Sequence, residues 1–70
     1  MTLQTTLECG TVVRVGDWVG FKSDWEQSGK ILAISKNGKG LKLGNENGFE
    51  GHYIGGETIA YEDADRCWAD

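Results

Sequence analysis

Seventy residues allow one domain with a thin core, because a chain this short buries only about 60% of the surface it exposes when unfolded. That size leaves little room for an enzymatic cleft, and no apolar run is long enough to cross a membrane as a helix. The formal charge of −4 argues against a general nucleic-acid binder but conceals an asymmetry: residues 1–44 carry six basic against four acidic side chains, whereas residues 45–70 set Arg66 alone against seven acids. Such a two-toned chain has either a solvating surface or two faces for differently charged partners.

Residues 1–8 alternate Leu3, Thr5 and Leu7 with Gln4 and Thr6, which predicts an edge strand or ordered lead-in, and Gly10 separates it from the next extended stretch. Residues 1–10 are therefore read as a lead-in and 11–70 as the domain. Residues 11–15 are β-branched except for Arg14 and favour extended structure; Gly16-Asp17 marks a bend, so one kinked strand or two would serve. Residues 15–34 organise the rest as strand, polar loop and strand. In the first strand Val15, Val19 and Phe21 are inward candidates. Residues 23–29 are polar apart from Trp25, a ring that either caps the core or waits for a ligand. Ile31 and Ile34 resume the apolar pattern out of strict period, as a bend or bulge requires. Trp18, next to the inward Val19, need not be buried by alternation.

Asn37-Gly38 predicts a tight hairpin, followed by a strand with Leu41 and Leu43 on one face and Lys42 outward. Lys30, Lys36, Lys39 and Lys42 then gather on that hairpin as a basic patch in an acidic protein. Residues 45–57 hold four of the eleven glycines among Phe49, His52 and Tyr53. Glycine-rich backbone beside rings suits a nucleotide or base, with Phe49, His52, Tyr53, Gly55 and Gly56 as ligand candidates; a twisted hairpin turning at Gly55-Gly56, with Phe49, Tyr53 and Ile54 plugging the core, is the preferred reading. No phosphate-loop spacing is present. Residues 58–61 read as a strand with Ile59 and Tyr61 sharing a face, residues 62–65 as one helical turn, and Trp68 as core.

Chemistry is largely excluded. One histidine and no serine with an evident base give no nucleophilic triad, and Cys9, Cys67 and His52 fall short of a structural zinc set. Glu62, Asp63 and Asp65 lack the spacing of a calcium loop and read as a solvated turn. No cofactor and no enzymatic activity are expected. A Cys9–Cys67 bridge would add roughly 4 kcal/mol if the Cα atoms lay within about 7 Å, but no hydrophobic signal segment precedes the domain; free thiols in a reducing cytoplasm are expected.

Val15-Gly16-Asp17-Trp18-Val19-Gly20-Phe21 followed by Gly29-Lys30-Ile31-Leu32-Ala33-Ile34 resembles the Gly-Asp-x-Val and Gly-x-Ile/Val-x-x-Ile signature of KOW and related SH3-like and Tudor-like barrels. Residues 62–66 fall where that family places its single short helix, ahead of the last strand. The resemblance covers residues 11–70 and implies an all-β, five-stranded SH3-like barrel acting as a binding module through its strand-connecting loops, here 23–28 and 36–42. As a whole the chain also resembles small uncharacterised proteins of bacteriophage and bacterial genomes, on residues 47–51, 53–57 and 65–68; that likeness implies no activity, but for a phage protein the expected cytoplasm is the host's and the partner a host protein.

The acidic C-terminal half departs from the basic members and favours a protein partner, contacted through Trp18, Trp25 and Tyr53. Two alternatives are nucleic-acid binding by Lys30, Lys36, Lys39 and Lys42, weak and salt-sensitive, and small-ligand sequestration by the glycine- and ring-rich loop.

Overall fold

The computed structural model describes residues 2–23, 25–50 and 57–69, the Ser23 side chain excepted. The expected all-β class holds. A two-stranded sheet, β1 (Gln4–Thr6) and β2 (Val12–Arg14), accompanies a five-stranded antiparallel sheet built from β3 (Trp18–Ser23), β4 (Trp25–Ile34), β5 (Gly40–Gly44), β6 (Ile59–Asp63) and β7 (Cys67–Ala69). The larger sheet runs in the order β6-β5-β4-β3-β7, and β6 and β7 end it without pairing to each other. A 3-10 turn, Ala64–Arg66, connects them, two residues later than the helical turn expected over 62–65, because Glu62 and Asp63 still belong to β6.

Alternation places Val19 and Phe21 on the inner face, beside Ile31, Leu41, Leu43, Ala60 and Cys67 from the other strands. Leu7 and Val13 from the N-terminal hairpin, Phe49 from the loop after β5 and Ala64 from the 3-10 turn complete that core. The lead-in therefore contributes to the core as well as forming an edge strand. Its threonines tie it down: the Thr2 hydroxyl donates to the Lys36 carbonyl (3.1 Å) and the Thr5 hydroxyl to that of Gly38 (2.6 Å).

Several residues depart from expectation. Val15 faces solvent, because it is the second residue of a turn closed by Asp17 N–H to Arg14 O (2.9 Å), with Gly16 at φ +101°. The Asp17 carboxylate accepts in turn from the Arg14 N–H. The polar loop at 23–29 is strand: β3 and β4 pair in unbroken register from Trp18↔Lys30 to Ser23↔Trp25. A polar sequence is tolerated there because inward Gln27 exchanges two hydrogen bonds with the Glu50 backbone instead of facing apolar groups. The irregular spacing of Ile31 and Ile34 is a bulge, with a register shift between Ile31 and Ala33 that turns both isoleucines inward.

The hairpin at Asn37-Gly38 is wider than a two-residue turn, closing at Ser35 N–H to Gly40 O (2.9 Å). Asn37 Oδ1 accepts from the Ser35 hydroxyl and the Lys39 N–H, which fixes the longer loop, and Gly38 takes φ +74°. On β6 Ile59 and Tyr61 share a face as expected, and it is the outer one: Tyr61 stands opposite Lys42, while Ala60 is buried against Leu43. Trp68 also lies outside the core, since it is Cys67 that pairs with Phe21 and fills the inner face.

Gly29 sets the tightest constraint inside. A Cβ there would come within 2.9 Å of Leu43 Cβ and 3.2 Å of the Phe49 ring. Gly29→Ala should therefore lower stability by about 1–3 kcal/mol, read as a reduced urea midpoint, whereas Lys36→Ala should stay within about 0.5 kcal/mol of wild type.

Candidate interaction face

Residues directly opposite in antiparallel strands share a face, so the register fixes what the outer side of the sheet displays. One row runs Trp18, Lys30, Gly44, Ile59 across β3 to β6. A second runs Ala33, Lys42, Tyr61, two positions along. On the other side of Trp18, Trp68 is opposite Gly20. The bulge adds one more apolar group, turning Leu32 outward over Gly44.

These residues form one continuous face. A shallow groove of about 350 Å³ lies among Trp18, Lys30, Leu32, Gly44 and Ile59, and another of about 360 Å³ among Ala33, Lys42 and Tyr61. Their walls are next-but-one neighbours on β5 and β6. Trp18 is 45% exposed and Trp68 37%, both large fractions for indoles held in a sheet. Gly20 explains how Trp68 is seated: a Cβ there would collide with the indole nitrogen, so the ring lies directly on bare backbone.

Trp25 is elsewhere. It is 58% exposed, at the far end of β4 and on the core-side alternation of Gln27 and Gly29, beside a hollow shared with Phe49 and Glu50. Trp18 and Trp25 thus occupy opposite faces of the sheet. The four lysines are likewise divided: Lys30 and Lys42 stand on the outer face, while Lys36 and Lys39 flank the turn at the end of β4. Phe49 is buried, its ring centroid 5.5 Å from that of Phe21 at a tilt of 59°, which makes it core. His52, Tyr53, Ile54, Gly55 and Gly56 lie outside the described residues.

Sequence reasoning missed Trp68, Tyr61 and Leu32 as members of the outer face. The signal for Leu32 was available in the isoleucine spacing that revealed the bulge; for Trp68 it was Gly20, a residue without a side chain one strand away.

Among the described residues no group of three or more histidine, cysteine or carboxylate side chains is placed to hold a metal. Both cysteines are free. Cys9 is exposed, and its contact with the Thr11 hydroxyl at 3.5 Å draws its pKa below the ordinary thiol value. Cys67 is the reverse: burial, with the carboxylates of Glu62, Asp63 and Asp65 nearby, pushes it up to about 12, and its Sγ–H donates to the Asp63 carbonyl. Burial also raises Glu62, an effect Arg66 opposes and Asp63 reinforces. No helix among the described residues is long and apolar enough to cross a membrane. No protein-family model, curated protein or solved structure matches the chain.

Gly20→Ala should push Trp68 off the sheet, detected as a red shift of tryptophan emission and greater quenching by acrylamide, while the fold persists because the displaced ring already borders solvent. Stability should also depend on pH. The folded state keeps the Cys67 proton to higher pH than the unfolded state does, so stability should decline as pH rises from about 9 towards 12. Cys67→Ala should remove that part of the decline in urea titrations repeated across the range.

Proposed function

We propose that the chain is a non-enzymatic SH3-like barrel of the KOW type that binds a protein partner through exposed aromatic side chains, with Trp18 at the centre of its contact face. The order of elements supports the barrel: two strands carrying the Gly-Asp-x-Val and Gly-x-Ile patterns, the Asn-Gly hairpin, a further strand, the connection through residues 45–58, a strand, a 3-10 turn and a last strand paired back to the first of the five. A bulged β4 is what a sheet needs to curl around a core carried on one face.

The observation that carries the binding reading is the outer row itself. Trp18, Leu32, Trp68 and Tyr61 are all exposed on one side of one sheet, next to open grooves. A chain of this size gains stability by burying such groups, and aromatic rings in shallow grooves are the usual anchors of protein contacts. Trp25, on the opposite face, would make a separate contact, and Tyr53 joins the proposal on sequence alone. The setting is the cytoplasm, that of the host if a phage encodes the chain.

Immobilised protein should retain a partner from a cell extract, and Trp18→Ala should weaken that binding at least about thirtyfold, the cost of losing a central anchor worth about 2 kcal/mol. The variant's circular dichroism and urea midpoint should match wild type within the range of a surface change. Unchanged capture by folded Trp18→Ala, with loss in Trp25→Ala, would transfer the contact to the other face; preferential binding of a single-stranded oligonucleotide would replace the protein partner altogether.

A further inference from the structure

Two of the outer rows repeat one arrangement. Trp18 is paired directly with Lys30, and Tyr61 directly with Lys42, so each aromatic residue stands opposite a lysine on the neighbouring strand. Lys30 is opposite Gly44, and Lys42 is two residues from Gly44 on the same strand, so the lysines are diagonal neighbours with backbones about 7–8 Å apart. Between them the surface is apolar, because Leu32 folds over Gly44. Neither ammonium has a hydrogen-bond or ion-pair partner among the described residues. Side chains two residues apart in an extended peptide are separated by about 6.8 Å, close to the separation of the two lysine backbones.

We infer that this face takes an extended acidic peptide in which two carboxylates, two residues apart, lie on Lys30 and Lys42 and an adjacent aliphatic or aromatic side chain rests between Trp18, Leu32 and Tyr61. The inference rests on the protein-binding reading above and narrows it to a partner chemistry. Charge distribution decides between a short acidic segment and a nucleic acid. Glu46 borders the groove at Lys30, and Asp63, two positions from Tyr61 on the same face, borders that at Lys42, so a carboxylate stands near each of the two cations. A long polyanion would meet those carboxylates, whereas a peptide with two acids satisfies the lysines and stops. The apolar floor adds what a phosphate backbone would not use.

The test is selection of displayed random heptapeptides on the intact wild-type protein, on Trp18→Ala and on the double variant Lys30→Glu/Lys42→Glu. Peptides with acidic residues at positions i and i+2 beside an apolar residue should be enriched on wild type and lost from both variants. A synthetic peptide carrying the selected Glu-x-Glu core should bind the double variant at least about tenfold more weakly than wild type, while each single Lys→Ala costs about two- to fivefold at low salt. Its binding should also weaken as salt rises. Enrichment of apolar peptides with no acidic bias, equally on wild type and the lysine variant, would overturn the acidic chemistry and leave the aromatic contact face standing. Failure to enrich any peptide on wild type over Trp18→Ala would remove the contact face itself. A labelled oligothymidylate binding more tightly than the selected peptide, and lost in the lysine variant, would overturn the inference in favour of nucleic acid.

Discussion

The rest of the structure depends on the packing of Leu43 and Phe49 against the bare backbone of Gly29. That contact brings the loop after β5 down onto the middle of the sheet, where Phe49 meets Phe21 and closes a core only one residue layer deep. With a few fully buried large side chains and two covering segments, there is no redundancy: removing the gap at Gly29 would lift Phe49, and the hydrogen bonds that hold its loop, Phe49 N–H to Glu57 O and Gln27 to Glu50, would go with it. The polar hairpin tip is secured by the same loop, which is why β4 can extend through Gln27 and Ser28 without an apolar pattern.

How much of this could be read from the chain differs by element. Inward positions in strands whose neighbours supply strong alternation, Val19 and Phe21 or Leu41 and Leu43, came from period alone, and the isoleucine spacing announced the bulge. Period failed where one glycine or one pairing partner decided the outcome. Val15 turns outward because Gly16 takes a left-handed conformation in the turn that precedes β3, and Trp68 lies outside because Cys67 takes the inner position opposite Phe21. Polar residues 25–29 form strand through a long-range exchange between Gln27 and Glu50, which local composition does not contain.

The candidate face was half legible. Trp18 and the outward Lys42 came from alternation, but a face is a property of register across strands, and register depends on turn geometry that residue types specify only loosely. Trp68 illustrates the difficulty. A tryptophan near the end of a small domain is read as core on hydrophobicity, yet the strand it occupies gives its inward position to Cys67 and lays the indole on Gly20. The two glycines of the outer face, Gly20 and Gly44, have the same part in different rows: each removes a side chain so that a larger neighbour can lie flat, leaving a smooth apolar surface flanked by cations.

The pairing of β3 with β7 carries a kinetic consequence. Phe21 meets Cys67 and Val19 meets Ala69, contacts that span most of the chain, and the threonine bonds from residues 2 and 5 to the turn at 36–38 are also distant in sequence. Chains ordered by such remote contacts fold slowly for their size, because the entropy of closing large loops is lost before any native interaction offsets it. During synthesis β3 to β5 can form their local hairpins early, but the edge of β3 stays open until residue 69 has emerged. Over that interval the open edge of β3, with Val19 and Phe21 on one side, is exposed to other nascent copies, so the vulnerable period for aggregation is set by the arrival of the last strand and not by the stability of the finished domain.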